Sequence, residues 1–342
     1  MKKNHPNTTS KLKRGLRKFI RLLVCAIIAV LIVVIIVGVF LYFNIYLNEG
    51  KGPAGPQVPT EPFKHVWSDQ KIFLVGIGDS ITDGFGASDG FSYFERLIQN
   101  PPNDSKDMNG KNLSAVFPNL KSANLSISGS VSLDHLAQIR KIANKDPNTI
   151  GIIVMTTGGN DIIHSYGRKP PKECAMYGAT LEQAKPWIEN YKERLDKMVI
   201  ILKDKFPGGC YIFLANIYDP SDGTGDTKEF FTGLPPWPDG LAIHKAYNKI
   251  IAQCAKRYEH VHLVDIYTPF LGHGIHCKKF WLKHYRFSDP HYWYNLNIED
   301  PNDRGYDAIR RLFLNEMIKV FYNTDFQKSY ARNFIDTLIN NP

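Results

Sequence analysis

Ser80 lies in the run Ile72–Gly86, where a short apolar segment, Ile72–Val75, is cut off by Gly76-Ile77-Gly78 and followed by Asp79-Ser80-Ile81. A serine just past a buried strand occupies a tight turn at the strand's carboxyl end, where open α/β sheets bind ligands. Such a serine is a candidate nucleophile for acyl transfer, which also needs a base and hydrogen-bond donors aimed at a developing oxyanion. The candidate donors are the N–H of Ser80, the N–H of Gly129 in Ser128-Gly129-Ser130, and the side-chain amide of Asn160 in Gly158-Gly159-Asn160-Asp161. Glycines at these points let the chain pass close to a substrate.

Other chemistries fit the same residues less well. A phosphate-cradling loop needs Gly-Lys-Ser/Thr after its second glycine, and no lysine is present; Gly76-Ile77-Gly78 lacks the third glycine of a dinucleotide fingerprint. Asp79 and Asp83 are four apart with the serine second, unlike the Asp-x-Asp of phosphotransferases. His273, His276, Asp289 and His291 have ligand chemistry, but no fixed metal-ligand spacing is completed, and a polar loop over the site is the simpler reading. A bare strand-ending turn favours Gly, Asp and Ser for backbone reasons alone, so Ser80 gains meaning only beside the later motifs.

The elements that must position these residues alternate. Apolar runs at Ile72–Val75, Ala123–Leu125, Ile150–Met155, Tyr211–Ala215 and Val261–Ile266 read as strands. Helical spacing marks Gly90–Gln99, Leu133–Ala143, Leu181–Phe206, Leu241–Tyr258, Asp303–Tyr322 and a shorter Asp325–Ile339. Strands alternating with helices imply parallel βαβ units and a sheet covered on both faces, hence one α/β domain. The Gly-, Pro- and Asp-rich gap Tyr218–Asp239 is long for such a domain and is expected near the site.

Taken in order, Gly78-Asp79-Ser80-Ile81, Gly129 and Gly158-Gly159-Asn160-Asp161 resemble the SGNH, or GDSL, hydrolases across Phe63 to about Phe321. The resemblance implies a flavodoxin-like three-layer α/β sandwich with a parallel five-stranded sheet. It also implies a serine hydrolase cleaving a lipid, glycan or small acyl ester through an acyl-enzyme on Ser80, with Ser80, Gly129 and Asn160 holding the oxyanion and no cofactor. The family's last motif, Asp-x-x-His, is altered: Asn297-Ile298-Glu299-Asp300-Pro301-Asn302 has Asn297 for the aspartate and Asp300 for the histidine. Histidine is the usual base because its pKa lies near neutrality, and an aspartate is a weaker one. Of the upstream histidines His273, His276, His284 and His291, the last is nearest in sequence and is the first candidate to serve Ser80, with Asp300 orienting it. The rival is a degenerate domain that keeps the pocket as a surface ligand-binding or scaffold protein.

The 342 residues carry a net charge of +9, but Lys2, Lys3, Lys11, Lys13, Arg14, Arg17, Lys18 and Arg21 account for eight of it. The body is nearly neutral, so nucleic acid is not an expected partner. Leu22–Phe43 is uncharged for 22 residues, about 33 Å as a helix, enough to cross a bilayer. Without a small-residue cleavage site it reads as an uncleaved signal anchor at residues 22–47, the basic tail 1–21 cytoplasmic and the body outside. Residues 48–62, with Gly50, Gly52, Pro53, Gly55, Pro56, Pro59 and Pro62, read as an extended stalk, and the domain as 63–342. Cys174, Cys210, Cys254 and Cys277 allow three full pairings, Cys174–Cys277 being the one that would link two site loops, and four buried free thiols fit the sequence equally well. Oligomeric state is not encoded in any motif.

Overall fold

The computed structural model describes residues 8–42, 47–227 and 233–322. It divides into two units, residues 1–48 and 49–342. In the first, helix α1 (Thr8–Leu41) starts inside the basic tail rather than at Leu22. It is long and apolar enough to cross a membrane, as an anchor or a signal sequence is, and its apolar side chains from Leu12 to Leu41 are exposed.

The second unit runs β1 (Lys71–Ile77), α2 (Ser80–Asp83), α3 (Tyr93–Ile98), α4 (Leu113–Val116), β2 (Leu120–Asn124), α5 (Ser132–Arg140), β3 (Thr149–Met155), α6 (Gly159–Ile163), α7 (Leu181–Lys205), β4 (Cys210–Ala215), α8 (Gly240–Arg257), β5 (Val261–Val264), α9 (Tyr267–Phe270) and α10 (Asp303–Phe321). The five strands are all parallel, in the order β2-β1-β3-β4-β5. This is the expected flavodoxin-like sandwich. β3 is buried along its whole length, which is why its sequence is apolar without alternation. Against one face α7 and α8 pack Leu195, Met198, Val199, Ile243, Tyr247 and Ile251 into the main core. The helix expected at 325–339 lies outside the described residues.

Two expectations change. The Pro/Gly-rich segment is not an extended stalk, and the second unit begins at Glu49, not Phe63. Arg304, early in α10, donates to the carbonyls of Glu49 (2.6 Å), Gly52 (3.2 Å) and Pro53 (3.2 Å). Ala54 N–H donates to Asp307 at 3.3 Å, Asn315 to Gln57 O, and Lys111 Nζ to Val58 O at 2.6 Å. Ala54 and Val58 are buried. Gly55 lies so close to α10 that a Cβ would sit 2.7 Å from Ala308 Cα. The glycines and prolines that rule out a helix here thus permit an irregular strap whose carbonyls are satisfied by side chains of the body. Of the two alternatives for the cysteines the free thiols are found: Cys174 and Cys277 are free and buried, as are Cys210 and Cys254. Cys174 lies beside Ser132 and Arg194 instead of a second sulfur.

Candidate active site

The nucleophile turn is built from its glycine outward. Gly78 has φ 145°, and a Cβ there would meet Thr156 O at 2.4 Å, so no other residue fits without movement. Gln138 of α5 clamps that peptide, accepting from Gly78 N–H at 2.9 Å and donating to Gly78 O at 2.8 Å. Asp79 caps α2: its Oδ1 accepts from Ile81 N–H (3.2 Å) and from the Thr156 hydroxyl (2.8 Å). Ser80 is therefore the first residue of a short helix, where backbone N–H groups have no intrahelical acceptor and can face a ligand. Tyr306 of α10 closes the turn by donating to Phe85 O at 2.8 Å.

Next to this turn run the two other glycine-marked strand ends. Gly129 has φ 79° with open space beside it, and Ser130 pins its turn to Gly78 O at 2.9 Å. His135 supports Ser130 and Thr157 from below, at 3.1 and 2.8 Å, and burial holds its pKa down to about 4. Asn160 Nδ2 donates to Ser130 O at 2.9 Å, which fixes the orientation of its amide. One N–H of that amide remains for an oxyanion. Asn160 and Ser80 line one cavity of about 130 Å³.

The base position is where the structure departs from the sequence expectation. No expected histidine hydrogen-bonds to Ser80 among the described residues. His291 Nδ1 pairs with Asp289 at 2.5 Å, Asp289 also accepts from Arg304 at 2.9 Å, and the ring packs against Gly50 of the strap. It is held as part of the clasp for the N-terminal segment. His273 Nδ1 donates to His291 O (2.9 Å), and its ring stacks on Trp293 at 3.4 Å. His276 contacts Asp226 O at 2.9 Å and Lys279 at 2.8 Å. His284 rests against Gly223.

Asp300 is the group that meets Ser80. Burial pushes its carboxyl above the ordinary aspartate range, while hydrogen bonds from the Ser80 hydroxyl and Asn297 to the charged form pull it back. Asn297 Nδ2 reaches Asp300 Oδ2 at 2.5 Å; Oδ1 is buried with no well-aligned hydrogen bond among the described residues, leaving acceptor capacity for a proton. The loop that presents Asp300 is tied shut. Asn295 N–H donates to Asp300 O (2.7 Å), and Asn302, the cap of α10, donates to Tyr292 O and Tyr294 O. Asp300 thus interacts with both Ser80 and Asn297, with aspartate in the place expected for histidine and asparagine in the place expected for aspartate.

Most of the cavity walls were not marked by any motif. They include Tyr166, Tyr177, Trp237, His244 and Glu299. Two of them had a sequence signal: Trp237 comes from the long loop after Tyr218, and Glu299 lies inside the last motif itself. Burial raises the Glu299 carboxyl to about 7 and Asp79 to about 6, the latter with the charge of Asp300 acting in the same direction. His244 shares its Nε2 between Ile217 O and Tyr218 O, at 3.0 and 3.1 Å, and so is a neutral structural ring, its pKa lowered by burial. Asp79, Glu299 and Asp300 have no lysine or arginine ion-pair partner among the described residues.

A model of the GDSL-like lipase/acylhydrolase family matches residues 77–308. No curated protein sequence matches the chain. Among solved structures, an extracellular lipase from Streptomyces rimosus superposes with a TM-score of 0.46 at 17% identity, over 72% of this chain and 99% of that one. An acetylxylan esterase from Geobacillus stearothermophilus gives a TM-score of 0.46 at 20% identity, over 73% and 94%. A lipolytic G-D-S-L protein from Veillonella parvula gives 0.44 at 15% identity, over 71% and 97%.

Proposed function

The chain belongs to the GDSL-like lipase/acylhydrolase family, and from that premise we propose that it hydrolyses an ester through an acyl-enzyme on Ser80 with Asp300 as the base. The observation that carries this reading is the buried Asp300 carboxyl, raised above its ordinary pKa by burial and stabilised in its charged form by the Ser80 hydroxyl. In the first step Ser80 Oγ attacks the ester carbonyl carbon as its proton passes to Asp300. The N–H groups of Ser80 and Gly129 and the amide of Asn160 hold the oxyanion. Collapse expels the alkoxide, which takes the proton from Asp300, and water repeats the sequence on the acyl-enzyme. Asn297 orients Asp300 without adding charge. In this reading α1 anchors the chain in a membrane with the basic tail cytoplasmic and the body outside.

Hydrolysis of p-nitrophenyl acetate by the full chain in detergent, beside Ser80→Ala and Asp300→Asn, tests it. Each variant is expected to lose about 10²- to 10⁴-fold in rate. The lack of an imidazole at Ser80 among the described residues favours a second reading, a ligand-binding domain without turnover. A wild-type chain as inactive as Ser80→Ala at every pH would select that one.

A further inference from the structure

Between β5 and α10 the chain runs through Lys278-Lys279-Phe280-Trp281-Leu282-Lys283-His284-Tyr285-Arg286-Phe287. Phe280 is 72% exposed, Trp281 67% and Phe287 89%. Three large aromatic side chains in water within eight residues exceed what packing requires, and grouped exposure of this kind marks contact with something apolar. Four cations, Lys278, Lys279, Lys283 and Arg286, are interleaved with them, and no acidic residue occurs from Lys278 to Ser288.

The segment is presented rigidly. Asp222 grips its base, accepting from Gly272 and Gly274 N–H through Oδ1 (both 2.8 Å) and from His276 N–H through Oδ2 (2.9 Å). Arg286 donates to Leu271 O and Thr268 O, at 3.0 and 3.1 Å. Successive turns bond Lys279, Leu282 and Tyr285 back to the residue three before each. The Phe280 and Trp281 rings meet edge to face at 5.1 Å. Asp222 follows β4 on the loop whose Asp219 and Ser221 line the cavity beside Ser80, so the segment lies at the active-site end of the sheet.

We propose that residues 278–287 form a docking surface for an anionic membrane. Amphipathic aromatic rings settle at the headgroup level, and each cation close to an anionic leaflet adds attraction that salt screens. A protein partner would need a complementary acidic, apolar groove, whereas a bilayer surface of anionic phospholipid supplies both properties without shape matching. The proposal is independent of turnover at Ser80.

The test places the full chain in nanodiscs of phosphatidylcholine alone or mixed with phosphatidylglycerol, with lipids brominated near the headgroup as quenchers. Residues 1–48 contain no tryptophan, so tryptophan quenching reports on the body. Quenching is expected to be about twofold stronger in the anionic discs and to fall with added salt. It is also expected to fall in Trp281→Phe, and in Lys278→Glu/Lys283→Glu with all aromatics intact. These side chains are exposed or half-exposed, so circular dichroism and Tm should be those of the wild type. Equal quenching in the two lipids, or quenching unchanged in Trp281→Phe, overturns the proposal.

Discussion

Asp300 is where one substitution most changes the chemistry. A carboxylate accepts a serine proton only in its ionised form, so the rate must fall as pH drops through its pKa. Burial places that pKa above the ordinary aspartate value of 3.8. The rising limb of the pH–rate profile of the full chain is therefore expected above that value. In an Asp300→His/Asn297→Asp variant the limb should move toward the imidazole range near ~6.5. Identical limbs in the two proteins would remove Asp300 from the base position. Asp79 makes a separate, thermodynamic statement. Its folded pKa of about 6 exceeds its ordinary 3.8, so stability from this group is complete below 3.8 and is lost as pH rises through 6. Asparagine at 79 keeps the acceptor for Ile81 and Thr156 and removes the buried charge. Asp79→Asn should then raise Tm by a few degrees at pH 8 and by little at pH 4. A gain that is the same at both pH values would mean the burial cost has another source.

At the scale of elements, the active-site turns are set by side chains from helices remote in sequence: Gln138 of α5 holds Gly78, and Asn302 at the start of α10 holds the loop of Asp300. The strap 49–62 belongs to the same scaffold, because Arg304 joins it through Asp289 to His291 and hence to the segment leading into that loop. Three carbonyls and one carboxylate depend on Arg304, which is only 12% exposed. Arg304→Ala should cost about 2 kcal/mol, a Tm decrease of roughly 4–8 °C. A chain started at Phe63, which also loses the burial of Ala54 and Val58, should melt lower than one started at Glu49. Equal melting temperatures for the two truncations would show that the strap contributes no stability.

For the whole molecule, the proposed topology rests on the charge distribution. Eight cations precede the uncharged run that begins at Leu22 and no acidic residue occurs before Glu49, the pattern that keeps an N-terminus in the cytoplasm. Protease added outside intact expressing cells should cut the body; cleavage only after lysis would reverse the orientation. The aromatic, basic segment 278–287 belongs to this scale as well, since it acts through a surface and not through the reacting atoms.

The sequence by itself determined the α/β architecture, because five apolar runs separated by helical periods allow little but a covered parallel sheet. It also brought Ser80 and Asn160 to one cavity, since strand ends of one sheet lie side by side, and marked α1 as an apolar helix of membrane-crossing length. Only the tertiary structure decided what stands beside Ser80. A histidine's identity says nothing of where its ring points, and Asp289 with Arg304 draws His291 to the strap while Asn302 and Asn295 deliver Asp300 instead. The strap itself was hidden for the same reason. Glycine and proline exclude regular structure locally, but whether an irregular segment floats or docks depends on side chains of α10 some 250 residues away, which no local pattern encodes.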